Sequence, residues 1–487
     1  MKVSETERRA KLDRLRGDGI DPYPRSFEAR TSIREIRDRH DPAVLEEGEY
    51  EAIRYRLAGR ITTRRNHGKT IFLDLADISG SIEIYARRED LGEEDYRRFK
   101  ELNIGDFVGI EGILAVTRRQ LLAINVKSCL LLAKALRDPP DFVHGLSDPE
   151  TRYRRRELDM MVSEESRRVF LTRSKLLTTI RAEMSQRGFV ELETPILQAL
   201  FGGATARPFE THHNALDRRL YLRTATELYL KRAVIGGFEN VFELGRIFRN
   251  EGISTEHNPE FTMLELMVSG ADYQGAMEFS ERLVSDVVRG VTGSTVVEYR
   301  GKTIDFAPPW RRLPLREALI DAVGLDIVEC GREEMAARLG GDLDGESDWT
   351  VLVDKLQQRF VEPHLVQPTF LMELPIRHWP ANRSTRQNPD LLGEVFDVIV
   401  GGMEVYSGGT EICDPAEQRD RFVDQKNLSD PDGDMEPHPY DEEFVRALEY
   451  GLPPVAGCGL GVDRLMTIIT DSSSLRDVVL FPTMRQQ

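Results

Sequence analysis

VFELGRIFRNEGISTEHNPEFTMLEL, residues 241–266, is the stretch whose reading decides the fold. Apolar-rich ends flank a polar GISTEHNPE, the form of two strands joined by a loop. On an extended strand Arg249 and Glu251 stand two residues apart and point to one face. A guanidinium there can neutralise a phosphate, while the carboxylate beside it accepts a hydrogen bond from an amino group such as adenine N6. Beyond the loop, His257 offers a donor to phosphate and Phe261 an aromatic face to a base. An isolated Arg-x-Glu reads better as a surface ion pair on a hairpin, so the segment needs a partner.

That partner lies far downstream. GCGLGVDRL (457–465) has Gly459 and Gly461 allowing close backbone approach, with Arg464 opening a helix. FDVIVGGMEVYS (396–407) has the form of a hairpin with Gly401-Gly402 as its two-residue turn. Pairing Val400 with Met403 sets Ile399 opposite Glu404 and Asp397 opposite Tyr406. Asp397 and Glu404 then share a face as diagonal neighbours, roughly 7–8 Å apart at the backbone. Two carboxylates so placed suit Mg²⁺ held between triphosphate oxygens; the plainer alternative is a solvated acidic face.

A chain of 487 residues is too long for one core, since domains run to about 100–200 residues. Residues 1–50 read as an N-terminal extension with an exposed helix ending at Gly17. Residues 51–136 hold five β-rich runs, with a helical EEDYRRFKEL between the third and fourth, which predicts a small Greek-key barrel of OB type. RDPPDFVHGLSDPE (137–150) has linker composition. Residues 151–487 read as an α+β domain on a mixed or antiparallel sheet. Its opening helix spans 166–187 and is followed by FVELETPIL, a strand ending on Pro195.

With 66 basic against 83 acidic residues the net charge is −17, which disfavours indiscriminate nucleic-acid binding. The sum hides RYRLAGRITTRRNHGK (54–69), which has six basic residues and no acidic ones. Acid gathers in GREEMAARLGGDLDGESD (331–348) and DPDGDMEPHPYDEE (430–443). No apolar run approaches ~18 residues, and the first residues lack the apolar segment of a secretory signal. The four cysteines (Cys129, Cys330, Cys413, Cys458) are far apart, which argues against a zinc site or disulfide framework. A cytoplasmic location without membrane contact is expected.

Taken together, Arg249-x-Glu251, Phe261 and Gly459-x-Gly461-x-x-Arg464 resemble motifs 2 and 3 of class II aminoacyl-tRNA synthetases. The helix and strand ending at Pro195 resemble their motif 1, which builds a dimer interface. RRAKLDRLRGDGIDPYP, HGLSDPETRYRRR, FGGATARPFETHHNALD, ELYLKR and LRDVVLFP narrow the resemblance to the bacterial type of lysyl-tRNA synthetase, over nearly the whole chain. It implies an α+β fold with an antiparallel catalytic sheet, an N-terminal OB domain that binds an anticodon, and a homodimer. The implied reaction joins lysine to ATP as an adenylate, with Mg²⁺ as cofactor, and passes the aminoacyl group to tRNA.

The resemblance also implies roles. Arg249 bridges the substrate carboxylate and the α-phosphate. Glu251 reads adenine, Phe261 stacks on it, and His257 and Arg464 hold the outer phosphates. Gly203 and Glu227 match the α-amine site, and Glu265 and Glu411 the pair that meets the side-chain ammonium. In the OB section Phe72 matches the base-stacking aromatic, and Glu83 and Ser128 stand where Gln and Glu read the central uridine of the anticodon.

Departures gather in two places. The amino acid pocket has Met267, Ser407, Gly409 and Cys413 where the family has Tyr, Asn, Phe and Asn, and Trp379-Pro380-Ala381-Asn382 for Ser-Pro-Leu-Ala. Loss of a ring at Gly409 is expected to open volume that Trp379 fills in part. Among the phosphate and tRNA contacts, Asp397 replaces Glu and Glu256 replaces Arg, besides Glu83 and Ser128. Compensated drift is one explanation. Another is a paralogue that activates a modified or β-amino basic amino acid for a non-standard acceptor. A third, of another class, is a non-catalytic tRNA-binding or regulatory protein, against which intact Arg249, Glu251 and Arg464 argue.

Overall fold

Leu57, Leu73, Leu75, Ile84, Ile110 and Ile124 are wholly buried and alternate with more exposed neighbours, the pattern of strands with one face inward. They come from β1 (Gly48–His67), β2 (Thr70–Asp77), β3 (Gly80–Arg87), β4 (Phe107–Val116) and β5 (Leu122–Ala133), which close a barrel in the order β1-β2-β3-β5-β4. The computed structural model describes residues 4–28, 30–340, 348–425 and 439–485. It divides into two units, Met1–Ser163 and Glu164–Gln487. The acidic cores at 341–347 and 426–438 lie outside the described residues.

Three helices accompany the barrel strands: α1 (Glu5–Gly17), α2 (Ile33–Arg39) and α3 (Arg88–Glu101). Ser4 and Glu7 cap α1 reciprocally, satisfying N–H groups that would otherwise lack partners. The sequence reading does not include α2, because seven residues with two apolar positions carry no periodicity. It nevertheless places Ile33 and Ile36 in the barrel core. Two short helices, α4 (Pro149–Arg154) and α5 (Arg156–Val162), close the first unit.

The second unit opens with α6 (Glu164–Gln186), which buries Val169, Leu176, Ile180 and Met184 at the expected helical spacing. An eight-stranded sheet follows. Its strands are β6 (Val190–Glu191), β10 (Val241–Phe248), β11 (Glu260–Ser269), β14 (Arg311–Pro314), β15 (Thr369–Met372), β16 (Val395–Val400), β17 (Met403–Thr410) and β18 (Val455–Gly461). The order is β14-β15-β16-β17-β18-β11-β10-β6. The six inner strands pair antiparallel, and each edge pair is parallel. Smaller sheets are formed by β7 (Leu197–Gln198), β8 (Glu210–His213) and β9 (Arg218–Leu222), and by β12 (Val296–Tyr299) with β13 (Lys302–Asp305).

One face of the large sheet presents Leu264, Leu266, Phe396, Val398 and Leu460 to a core shared with α6 and with α8 (Tyr273–Thr292). Alternate residues therefore point to the other face. There a single register row runs Glu243, Glu265, Gly459, Ser407, Asp397, Leu371 across six strands.

Three local expectations are corrected. FVELETPIL does not form a strand through Pro195: β6 is only two residues long. Pro195 has no N–H for a ladder, and Thr194 N–H instead donates to Glu243 Oε2 at 3.0 Å. Arg249 and Glu251 lie beyond the end of β10, in the loop and not on the strand. Asp397 faces Ser407, not Tyr406, because a bulge interrupts the β16–β17 register after Ile399↔Glu404. The Gly401-Gly402 turn itself is as read, with φ of 61° and 81°, the left-handed values such a turn needs.

Candidate active site

The site-bearing face of the sheet floors a cavity of about 390 Å³. From β11, Phe261, Met263, Glu265 and Met267 reach it at every second position, and from β18 so do Gly457, Gly459 and Gly461. The glycines keep this floor low. A Cβ on Gly459 would lie 2.3 Å from Met263 Cε, and one on Gly457 would lie 2.0 Å from Glu411 Oε1. Arg249, Glu251, Glu256 and His257 line the cavity from the loop after β10, and Gly203 and Glu227 line it too. Asp397, Glu404 and Arg464 line the same cavity. All the catalytic-domain residues expected at the site thus meet in one place.

Near the loop after β10, the Arg249 guanidinium stands 5.3 Å from the centre of the Phe261 ring. Pro259 C=O accepts from Arg249 N–H at 2.9 Å, fixing the backbone where the strand ends. His257 Nδ1 is 2.9 Å from Ser254 Oγ. Surrounding protein, then Arg464, hold the His257 pKa below its ordinary value. Arg464 donates to Glu404 C=O at 2.9 Å and pairs with the Glu404 carboxylate at 3.2 Å. Burial, reinforced by the nearby Glu404, raises the pKa of Asp397. Among the described residues no cluster of three His, Cys, Asp or Glu is arranged to hold a metal ion.

Three further acids, Glu227, Glu265 and Glu411, line the cavity. Glu265 Oε2 accepts from both the N–H and the hydroxyl of Thr226, each at 2.7 Å, and burial raises its pKa. Glu411 is almost wholly buried at the end of β17, and Glu227 opens α7 (Glu227–Ile235). Between these two lies Lys231, fully buried, with Nζ 2.7 Å from Glu227 Oε1 and ion-paired to Glu411. The sequence reading missed Lys231. Its spacing of four from Glu227 on one helix was the available signal, but the Glu411 contact is visible only in three dimensions.

The rebuilt wall is tighter than expected. A Cβ on Gly409 would meet Val395 Cγ1 at 2.6 Å, Glu394 O at 2.9 Å and Asn382 Nδ2 at 3.0 Å. The space beside Gly409 is therefore filled by Val395 and Asn382, and the expected open volume is absent. Trp379 lines the cavity without being what fills that position. Met267 and Ser407 also line it, whereas Cys413 is turned to the carbonyls of Glu411 and Pro453.

The barrel carries its own candidate surface. Phe72 on β2 faces Tyr85 on β3, with ring centres 5.9 Å apart. Glu83 lies two residues before Tyr85 on the same face and accepts from Arg65 at 2.7 Å. Ser128 is exposed on β5 opposite Glu111. Phe72 and Glu83 are thus diagonal neighbours, while no contact of the described residues joins Ser128 to either.

Two family models match the chain. A family model described as tRNA synthetases class II (D, K and N) matches residues 148–485. A second, described as an OB-fold nucleic acid binding domain, matches residues 55–132. The lysine–tRNA ligase of Moorella thermoacetica is 44% identical over 479 residues, covering 98% of this chain and 96% of its own. The lysine–tRNA ligase of Bacillus subtilis is 41% identical over 484 residues, covering 99% and 97%. That of Carboxydothermus hydrogenoformans is 42% identical over 479 residues, covering 98% and 96%.

Proposed function

This chain belongs to the lysine–tRNA ligase family of class II tRNA synthetases, and on that footing we propose that it activates lysine with ATP and transfers it to tRNA. The observation that carries the reading is the set of three acids, Glu227, Glu265 and Glu411, that lines one cavity together with Arg249. Free lysine presents two ammonium groups and one carboxylate. Buried carboxylates reject a neutral side chain, because they would be left without partners.

In this reading the α-amine lies against Glu227 beside Gly203, and the side-chain ammonium against Glu265 and Glu411. Arg249 binds the substrate carboxylate and the α-phosphate together. One carboxylate oxygen attacks the α-phosphorus, the bond to the bridging oxygen breaks, and pyrophosphate leaves. Charge grows on the α-phosphate oxygens during that step, where a guanidinium already in place needs no reorganisation. Glu251 accepts from the adenine amino group, Phe261 stacks on the ring, and His257 and Arg464 hold the outer phosphates. A tRNA 3′ hydroxyl then attacks the adenylate carbonyl and AMP leaves.

Asp397 and Glu404 fit Mg²⁺. Their carboxylates line one cavity, and burial, then repulsion from Glu404, raises the Asp397 pKa, so a cation between them would relieve a real cost. Two protein ligands suffice when phosphate oxygens complete the shell, which is the usual Mg²⁺ arrangement. Bound there, the ion would neutralise triphosphate charge.

The barrel face, with Phe72 for stacking and Glu83 and Ser128 beyond it, is assigned to the anticodon. Homodimerisation through the segment ending at Pro195 and a cytoplasmic location complete the reading. Among the described residues no helix is long and apolar enough to cross a membrane. ATP–pyrophosphate exchange dependent on lysine, and not on norleucine, tests the proposal.

A further inference from the structure

Each acid of the amino acid pocket is anchored by one oxygen. Thr226 holds Oε2 of Glu265, and Lys231 holds Oε1 of Glu227 and Oε2 of Glu411. The remaining oxygen of Glu411, Oε1, stands over Gly457 on the cavity floor. Lys231 itself is shut away: it has no exposed surface, its third donor goes to Ala381 C=O at 3.2 Å, and the Phe444 ring lies 5.8 Å off. Its partners Glu227, Glu411 and Ala381 line the cavity, but Lys231 itself does not, and it lies behind them out of a substrate's reach.

The arithmetic of charge gives this lysine a task. Glu227, Glu265 and Glu411 would together present three negative charges to a substrate with two ammonium groups. Lys231 cancels one, leaving two for two, while Arg249 serves the substrate carboxylate. From this juxtaposition we infer that Lys231 is a positioning residue that sets the pocket's charge to the two ammonium groups of lysine, favours the ionised form of Glu411 and aims it at the side-chain end. The inference rests on the proposed lysine-activating function.

The surroundings of Glu411 support it. Burial, aided by Glu227, pushes the Glu411 pKa up to about 8, although Lys231 and a hydrogen bond from Asn382 pull it down. Burial opposes charge on Lys231, but Glu227 and Glu411 outweigh it and raise its pKa. Glu265 on β11 and the thiols Cys413 and Cys458 are the other titratable groups near this end. Arg383 acts on Cys413, but Lys231 is the cation that acts on Glu411, holding its pKa below where burial alone would set it. Without it Glu411 holds its proton more firmly, and the pocket loses both an attraction for the side-chain ammonium and its penalty against neutral side chains.

The test uses the full-length protein in ATP–pyrophosphate exchange between pH 6.5 and 9, comparing wild type with Lys231→Met, which keeps length and loses charge. Lys231→Gln, which keeps donors but no charge, guards against a folding defect. The expected result is a rise of at least tenfold in KM for lysine at pH 7 with KM for ATP changed less than twofold. KM for lysine should fall as pH rises, with its inflection at least one pH unit higher than in wild type, and the preference for lysine over norleucine should drop at least tenfold. A folded variant with an unmoved inflection and an intact preference overturns the inference. So does loss of folding in both variants, which would make Lys231 a structural cross-link. Failure of wild type to exchange with lysine would instead strike the proposed function.

Discussion

Arg65 donates to Glu83 at 2.7 Å on the outward face of the barrel, diagonally beside the Phe72 ring. The pair fixes what this face offers a base. Phe72 stacks on any base, a contact worth about 1–3 kcal/mol. Glu83 can only accept, where a glutamine could also donate to a uridine carbonyl. Arg65 is partly shared with Asp74 at 3.4 Å, so its donors are drawn toward the protein.

Discrimination at the central anticodon base should therefore be weak. Losing one base contact costs about 1–3 kcal/mol. Aminoacylation of tRNA(Lys) transcripts altered only at that base should show a uridine preference below a hundredfold, and Glu83→Gln with Ser128→Glu should raise it. The ion pair is solvent-facing and worth about 0–1 kcal/mol, so the double variant should fold normally. A natural preference of a hundredfold or more would refute the altered reader.

Asp397→Asn should raise the Mg²⁺ concentration for half-maximal exchange by at least about tenfold, since even indirect partners of a metal site cost about 10–100-fold in affinity. Asp397→Glu, with the longer arm, should stay near wild type. An unchanged Mg²⁺ requirement in the folded Asn variant would remove this carboxylate from the site.

Gly409→Ala should be destabilising, because its Cβ would meet Val395 Cγ1 at 2.6 Å and the Glu394 carbonyl at 2.9 Å. Overpacking of this kind costs about 1–3 kcal/mol. Gly409→Phe should cost more and should not improve lysine activation. A thermal midpoint unchanged by the alanine would show that the wall can yield.

Much of this was legible in the sequence, and the misses have physical causes. The barrel strands announce themselves by alternation from Leu57 to Leu131, and Arg249, Phe261 and Arg464 by spacing within their motifs. The shift that sets Asp397 against Ser407 was not legible, because a bulge adds one residue without changing the apolar pattern on either strand. Lys231 was hidden for a different reason: in sequence it is an ordinary helical lysine four residues after Glu227, and only the fold brings Glu411 to it. The filled space at Gly409 depends on Val395 and Asn382, neighbours from other segments.

The protein should sediment as a dimer of about twice its 55.5 kDa chain mass at micromolar concentration, as closed two-fold assemblies are the commonest oligomers. A stable monomer would contradict the role assigned to the segment ending at Pro195.

ATP–pyrophosphate exchange across a panel of basic amino acids, with and without total tRNA, tests the central claim most directly. Lysine should give the highest rate of the panel and should do so without tRNA. Arg249→Ala should lose about 10²–10³ in rate while remaining folded. Absence of exchange with every basic amino acid, or near-normal exchange in the folded Arg249→Ala variant, would contradict the account.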